Sequence, residues 1–275
     1  MRHLTLVLSS ITTCTLFAAC GNDAPAVLDA ANDARIDASK ACTSSTECMG
    51  TANVCDVNGT KTCVECVVSA DCQMAGDPAN APVCGADRAC RACTQNSECA
   101  GSDLCLPSGA CAVETEVAYV DAAGTDNTTC SKGMPCTTLT KAQLTGRPIV
   151  RVKGVIKESS VVYATGTNLI IGTPNAKIEG TNGAVNLIQM SGNASVEFLN
   201  LTIGGTGGTK PTNCIGLIAG TPSMKLTGGR VENCQAGITS SGGTVTVTGA
   251  TVTANGAAGI TSSGGTVTVT GATVT

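Results

Sequence analysis

The sequence predicts an all-β fold in which short strands stack into a parallel β-helix of about 22 residues per coil. The segment Gly237–Thr253 recurs unchanged as Gly259–Thr275, and a fixed period of this size is typical of stacked repeats. Within the repeat, Val245 and Val247 alternate with threonines, which is the period of a half-buried strand. The chain has no Trp, two Tyr and two Phe. So few aromatic residues suit a narrow solenoid interior filled by aliphatic side chains.

Composition excludes several classes of function. The net charge is −4 and 13% of the residues are charged, so no basic surface for nucleic acid is expected. The only histidine is His3, which falls in the leader described next. The rest of the chain therefore lacks the histidine needed for a Ser-His-Asp triad or a histidine zinc site. We predict no cofactor, no metal and no nucleic-acid partner.

Residues 1–19 are predicted to be a lipoprotein signal peptide. A short positive start is followed by the uncharged run Leu4–Ala19, which is too short for a comfortable membrane span. Phe17-Ala18-Ala19-Cys20 resembles a bacterial lipobox, which implies cleavage before Cys20 and its lipidation. An ordinary secretory signal, with Cys20 as a spare thiol, is the alternative. The resemblance implies a membrane partner through the lipid anchor, at the outer membrane or surface of a Gram-negative-type bacterium.

Residues 20–41 are rich in Ala, Asp and Asn and are predicted to be a flexible tether, because they contain too little apolar surface to order themselves.

Residues 42–111 form a cysteine-rich region of three quartets that each open with C-x5-C. The quartets are Cys42, Cys48, Cys55, Cys63; Cys66, Cys72, Cys84, Cys90; and Cys93, Cys99, Cys105, Cys111. Units this small cannot bury an adequate core, so disulfides are expected to stabilise them. Zinc bound by the two C-x2-C pairs is the alternative, but it leaves the repeated C-x5-C spacing unexplained. Four cysteines allow three pairings, and the spacing does not choose among them. The quartets resemble tandem cysteine-rich modules of bacterial surface lipoproteins, which implies a stalk or recognition role.

Residues 112–147 are predicted to begin and cap the β-helix. Tyr119-Val120-Asp121, Gly124-Thr125-Asp126 and Pro135-Cys136-Thr137-Thr138-Leu139 resemble the opening of pectin-lyase-like right-handed parallel β-helix domains. The resemblance implies a right-handed solenoid with a short cap helix. Cys130 and Cys136 are close enough in one loop to form a disulfide that holds the cap. Asp121 and Asp126 are interpreted as turn and capping groups in preference to a calcium site.

Residues 148–275 are predicted to form roughly six coils. Asn213, Asn233 and Asn255 recur at nearly equal intervals, which predicts a ladder of stacked asparagines. Cys214 and Cys234 each follow such an asparagine. Stacked one coil apart, their Cα atoms would be about 4.8 Å apart, within disulfide reach, so we predict that they bond.

The function predicted is that of a non-enzymatic, surface-anchored lipoprotein whose β-helix serves adhesion, glycan binding or envelope structure. A polysaccharide lyase or glycoside hydrolase of the pectin-lyase-like fold is the alternative, with polysaccharide or cell-surface glycan as partner. Its catalytic carboxylates would have to come from Glu158, Glu179, Glu197 and Glu232, and the spacing of Glu197 and Glu232 does not predict a pair on one face. The final repeat stops short of a full coil, which predicts either a longer chain or self-association through an open end.

Overall fold

The computed structural model describes residues 41–74, 81–181, 183–206, 210–253 and 256–275. The predicted signal peptide, Cys20, the tether up to residue 40 and Asn255 lie outside these described residues. Within them, every helix is too short or too polar to cross a membrane.

Each cysteine quartet folds into a short helical turn followed by a tight pair of extended segments. The elements are a 3₁₀ turn at Ser45–Glu47, β1 (Val54–Cys55), β2 (Cys63–Val64), α1 (Ser69–Met74), β3 (Val83–Cys84), β4 (Cys90–Arg91) and a 3₁₀ turn at Asn96–Glu98. Strand β1 pairs antiparallel with β2, and β3 with β4. In the third quartet a single antiparallel bridge joins Cys105 to Cys111.

The structure chooses one disulfide connectivity and uses it in every quartet: the first cysteine bonds the third, and the second bonds the fourth. The pairs are Cys42–Cys55, Cys48–Cys63, Cys66–Cys84, Cys72–Cys90, Cys93–Cys105 and Cys99–Cys111. Their Cα–Cα distances of 5.3 to 5.9 Å fall in the ordinary range for disulfides. All twelve sulfurs are therefore engaged with one another, which leaves no thiolates for the alternative zinc sites.

The rest of the chain is a cap followed by a solenoid of short strands. The cap contains a 3₁₀ turn at Glu114–Glu116, β5 (Val117–Asp121) and α2 (Leu139–Leu144). The solenoid strands are β6 (Ile149–Lys153), β7 (Val155–Glu158), β8 (Val161–Tyr163), β9 (Thr167–Gly172), β10 (Lys177–Gly180), β11 (Asn186–Gly192), β12 (Ser195–Leu199), β13 (Thr202–Gly205), β14 (Asn213–Gly220), β15 (Ser223–Thr227), β16 (Arg230–Glu232), β17 (Ala236–Ser240), β18 (Thr244–Thr248), β19 (Thr251–Thr253), β20 (Ala258–Ser262), β21 (Thr266–Thr270) and β22 (Thr273–Val274).

These strands form three parallel sheets, and each turn of the chain visits the three in order. The first sheet contains β5, β6, β9, β12, β15, β18 and β21; the second contains β7, β10, β13, β16, β19 and β22; the third contains β8, β11, β14, β17 and β20. This confirms the predicted β-solenoid. It has about 5 turns of about 24 residues each, so its turns are slightly fewer and longer than the final repeat predicts.

The extra length comes from two longer turns, one from Ile171 to Leu199 and the next from Leu199 to Thr227. In these turns the corner before the third sheet is longer, and β11 and β14 are the longest of the described solenoid strands. The exact period of the sequence belongs only to the final repeat, so it could not reveal the longer turns.

The solenoid interior is filled by columns of aliphatic and aromatic side chains in register. One column consists of Ile170, Phe198, Leu226 and Val247, and all four are fully buried. Burying such a side chain stabilises a fold by about 1.5–3 kcal/mol. The alternation of buried and exposed residues along β15 and β18 follows from the period-two pattern of their sequences.

The cap helix α2 is held by one side chain of the cap and one of the solenoid. Thr138 Oγ1 accepts the N–H of Lys141 at 3.3 Å, and the buried carboxylate of Glu158, from β7, accepts the N–H of Leu139. Cys130 and Cys136 are bonded, with Cα atoms 4.9 Å apart. Asp126 Oδ1 accepts hydrogen bonds from Thr137, so this aspartate holds the segment that leads into α2.

The asparagine ladder takes a different form from the one predicted. Asn213 Nδ2 donates to Asn186 Oδ1 at 2.8 Å, and on the other side Asn213 lies in register with Ala236. Asn233 is displaced to a turn, where its φ is +58°. The reason is the length of this solenoid turn: the residue in register with Asn213 on the next strand of the third sheet is Ala236, which lies three residues beyond Asn233. Asn255 lies outside the described residues.

Cys214 and Cys234 are disulfide-bonded, with Cα atoms 5.6 Å apart. Cys214 lies in β14, whereas Cys234 lies in the corner that precedes β17. The bond therefore runs diagonally between neighbouring turns and not between stacked positions.

Candidate functional site: an intermodular cleft and a charged strip

The third cysteine quartet, residues 93–111, packs against the outer face of the first sheet. We call it the third module. Leu104 is fully buried and shares an apolar cluster with side chains of the cap and sheet: Val117, Tyr119, Ile149, Ile171 and Leu199. The Tyr119 hydroxyl donates to the carbonyl of Ser102 at 2.9 Å, and Lys132 forms an ion pair with Asp103 at 3.1 Å. Apolar burial and these polar contacts fix the module to the solenoid.

A cleft of about 1010 Å³ separates the outer part of the third module from the corner of the solenoid. One wall is formed by Ala92 and by the third-module segments 93–97 and 105–109. The other wall belongs to the solenoid. It consists of residues 171–174 at the end of β9, residues 199–200 at the end of β12, and Thr227 at the end of β15. Of the described residues that line this intermodular cleft, none carries a charged side chain.

The module wall is stabilised by the carboxylate of Glu98, which forms an ion pair with Arg91. Glu98 accepts the N–H of Thr94 at 2.7 Å and that of Gln95 at 3.3 Å. Arg91 binds the same carboxylate, and its hydrogen bond lowers the pKa of Glu98 to about 2. Glu98 is therefore ionised at neutral pH, and its hydrogen bonds from the N–H groups of Thr94 and Gln95 hold this first turn of the module wall in place.

A second candidate site lies on the outer face of the second sheet. Glu179, Gly204 and Glu232 occupy one register position on β10, β13 and β16, so the two carboxylate-bearing residues are two strands apart, or about 9.6 Å between Cα atoms. We call this row the charged strip. Lys177 pairs with Glu179 at 3.3 Å, and Arg230 pairs with Glu232 at 3.0 Å.

Gly204 is required by the geometry of the charged strip. A Cβ at this position would lie 2.0 Å from the carbonyl oxygen of Glu232 and 3.3 Å from its Cγ. Glycine therefore allows the backbone carbonyl of Glu232 to lie close to β13 and leaves room beside it for the Glu232 side chain.

The four solenoid glutamates thus separate into different roles. Glu179 and Glu232 share the strip, a juxtaposition that sequence reasoning missed because it compared Glu232 with Glu197. Glu197 faces outward from the first sheet and pairs with Lys225 at 2.8 Å. Glu158 is buried under the cap. The shared row follows from the register between turns. The sequence does not show that register, because the turns differ in length.

Sequence reasoning also missed a polar motif inside the cysteine quartets, C-x-x-[S/N]-x-[D/E]-C. The fourth residue of the motif accepts the N–H of the third cysteine in every quartet; the acceptors are Ser45, Ser69 and Asn96. The acidic residue accepts the N–H that follows the first cysteine, and these acceptors are Glu47, Asp71 and Glu98. Aligning the quartets on their first two cysteines exposes this signal directly.

The fold defines a class of protein: a disulfide-rich module array joined to a three-sheet parallel β-solenoid. No protein-family model matches the chain, and comparison with curated proteins and with solved structures finds no similar one.

Proposed function

We propose that this protein is an exported lipoprotein, anchored through Cys20, that displays a pectin-lyase-like β-helix for non-enzymatic glycan binding and adhesion. The observation that carries the proposal is the docking of the third module on the solenoid, which creates a cleft with an uncharged lining. Eight disulfides among the described residues suit an oxidising compartment outside the cytoplasm.

The first and second modules support a stalk role. Arg88 of the second module pairs with the buried Asp56 of the first at 3.4 Å, and Arg88 also donates to the carbonyl of Val67 at 3.1 Å. Contacts of this kind hold successive modules in a defined relation. An extended array would then carry the solenoid away from the membrane surface.

Labelling and binding experiments test the proposal. The full chain expressed in a Gram-negative host should incorporate a labelled fatty acid, and Cys20→Ser should abolish the label. Cys14, the other cysteine near the start of the chain, provides the control, because Cys14→Ser should leave the label intact. Cells bearing the wild-type chain should adhere to immobilised glycans, and cells bearing Cys20→Ser should not. Labelling that persists in Cys20→Ser, or cells that adhere to no glycan, would contradict the anchor or the binding role respectively.

A polysaccharide hydrolase or lyase is the second candidate, and the charged strip is the observation that favours it. Inverting glycosidases hold two carboxyl groups about 6.5–9.5 Å apart. Glu179 and Glu232 extend from one row on the same face, with Cα atoms about 9.6 Å apart, so the row presents two carboxylates side by side. Each carboxylate is, however, paired with a cation of its own strand. Release of reducing ends from pectin, alginate or a neutral glycan, lost in both Glu179→Gln and Glu232→Gln and retained in Glu197→Gln, would establish this activity.

A further inference from the structure

We infer that the intermodular cleft is a binding site for a neutral oligosaccharide, held between the third module and the solenoid. This inference rests on the proposed glycan-binding function and names both the site and the chemical class of the glycan.

The absence of charge in the lining indicates an uncharged ligand. A buried or half-buried charge requires a counter-charge, and none of the described residues lining the cleft supplies one. The nearby ion pair of Arg91 with Glu98 is satisfied within the module array. An acidic glycan would lose hydration on entering this cleft without gaining a partner.

The polar lining matches the chemistry of hydroxyl groups. It consists of hydroxyl and amide side chains from both walls: Thr94, Gln95, Asn96, Ser97, Ser108, Thr173, Asn200 and Thr227. Such groups both donate and accept hydrogen bonds, as sugar hydroxyls do. A peptide would favour an open strand edge to extend, and the segments lining the cleft are loops and strand ends.

Apolar groups on both walls complement the faces of sugar rings. Leu106 and Pro107 belong to the module, and Pro174 and Leu199 belong to the solenoid. No aromatic side chain lines the cleft among the described residues. Affinity is therefore expected to come from many hydrogen bonds and not from ring stacking.

One hydroxyl group in the lining stands out. Thr227 Oγ1 is buried and has no hydrogen-bond partner among the described residues. A buried polar atom without a partner is unfavourable. Rotation of the Thr227 side chain about χ1 would turn this hydroxyl toward the cleft that the residue lines, where a ligand hydroxyl would supply the missing partner. Thr227 borders Leu199 in register on the neighbouring strand, so its position is fixed by the sheet.

The test uses the purified full chain and isothermal titration calorimetry. The neutral probes are cellohexaose, mannohexaose and xylohexaose, and hexagalacturonate is the acidic counterpart. At least one neutral probe should bind, with hexagalacturonate at least tenfold weaker. Thr227→Val removes the hydroxyl but keeps the volume, and should weaken binding about 3- to 10-fold, the effect of one hydrogen bond. Thr248→Val, the same strand position one turn later, is the matched control and should bind as the wild type does.

A second pair of variants tests the module wall: one substitution blocks the cleft, and the other is its control. Ser97→Trp places a large ring on the exposed module wall and should abolish binding. Thr46→Trp places the same ring at the equivalent position of the first module, two residues before its second cysteine, and should have no effect. Far-UV circular dichroism of all four variants checks that the fold is retained.

The outcomes separate this inference from the proposed function. Neutral binding that survives both Thr227→Val and Ser97→Trp, or binding of hexagalacturonate alone, would overturn the cleft assignment and leave glycan binding in place. Adhesion of cells to glycans with no binding of any neutral probe would do the same. Failure of both adhesion and binding would overturn the proposed function as well.

Discussion

Glu158 provides the sharpest test of how the cap is joined to the solenoid. The residue is 4% exposed, and its carboxylate accepts the N–H of Leu139, the first residue of α2. It also accepts the hydroxyl of Thr140 at 3.1 Å. A short helix leaves its first N–H groups unsatisfied unless a side chain accepts them, so Glu158 supplies an acceptor from a distant strand.

Two substitutions separate the hydrogen bond from the charge. Glu158→Ala leaves the buried N–H of Leu139 without an acceptor, which costs about 1–3 kcal/mol, and opens a cavity that adds to that cost. We expect a loss of about 2–4 kcal/mol in the free energy of unfolding. Glu158→Gln keeps an acceptor oxygen and should cost less than about 1 kcal/mol at pH 7.

The pH dependence has a definite sign. Burial raises the pKa of Glu158 above its ordinary value of 4.5, and the hydrogen bonds from Leu139 and Thr140 only partly offset this. The protonated form is therefore favoured in the folded state. The resulting stabilisation is fully present below about pH 4.5 and is lost as the pH rises through the raised folded-state pKa. Relative to the wild type, Glu158→Gln should gain stability as the pH rises from about 4.5 to 7.

The assay is urea unfolding of wild type, Glu158→Ala and Glu158→Gln, followed by far-UV circular dichroism at several pH values with the disulfides intact. Subtracting the wild-type curve from the Gln curve cancels the titration of groups that do not interact with residue 158. Asp126 is not one of them, because its charge contributes to the raised pKa of Glu158. An alanine variant as stable as the wild type would refute the capping role. A Gln-minus-wild-type difference that does not change with pH would contradict the assigned pKa direction.

Three further predictions concern the solenoid itself. Cys214→Ser should expose one more titratable thiol in denaturant than the wild type does and lower the unfolding free energy by roughly 3 kcal/mol, the expected effect of opening a loop of 20 residues; a thiol count equal to that of the wild type would reject the bond. Phe198→Ala, at a fully buried column position, should lower it by about 3–5 kcal/mol, and a loss below about 1 kcal/mol would contradict the column. Gly204→Ala should cost about 1–3 kcal/mol because the new Cβ meets the neighbouring strand, whereas Gly133→Ala, with open space around its Cβ, should be neutral in the same assay.

The parts of the fold that sequence predicted well are those with a local signal. Alternation of Val and Thr along residues 244–248 depends only on the period of a strand, so it identified β18 and, through the repeat, β21. The close spacing of Cys130 and Cys136 likewise limits how far apart the two residues can be. Both features are properties of short segments and survive any change in the length of the turns around them.

The candidate sites depended on relations that no local pattern contains. Glu179 and Glu232 are far apart in the chain and share a row because of how the lengths of the turns between them add up. Residues 92–109 meet the solenoid only after the chain has passed through the cap. Their packing against Leu199 and the cleft that they form with Thr227 therefore had no counterpart in the spacing of the sequence.

The sequence by itself determined the class of the fold, the cysteine quartets and the strand pattern, because each follows from spacing or periodicity within a short stretch of chain. Tertiary structure alone decided the disulfide connectivity, the partner of Asn213 and the docking of the third module. All three depend on contacts between segments that are separated in the sequence. For Asn213 and the third module, those contacts are set by the summed lengths of corners and loops, whose residues carry no periodic signal. For the disulfides, they are set by how each quartet folds, because all three quartets share one connectivity although their loops differ in length.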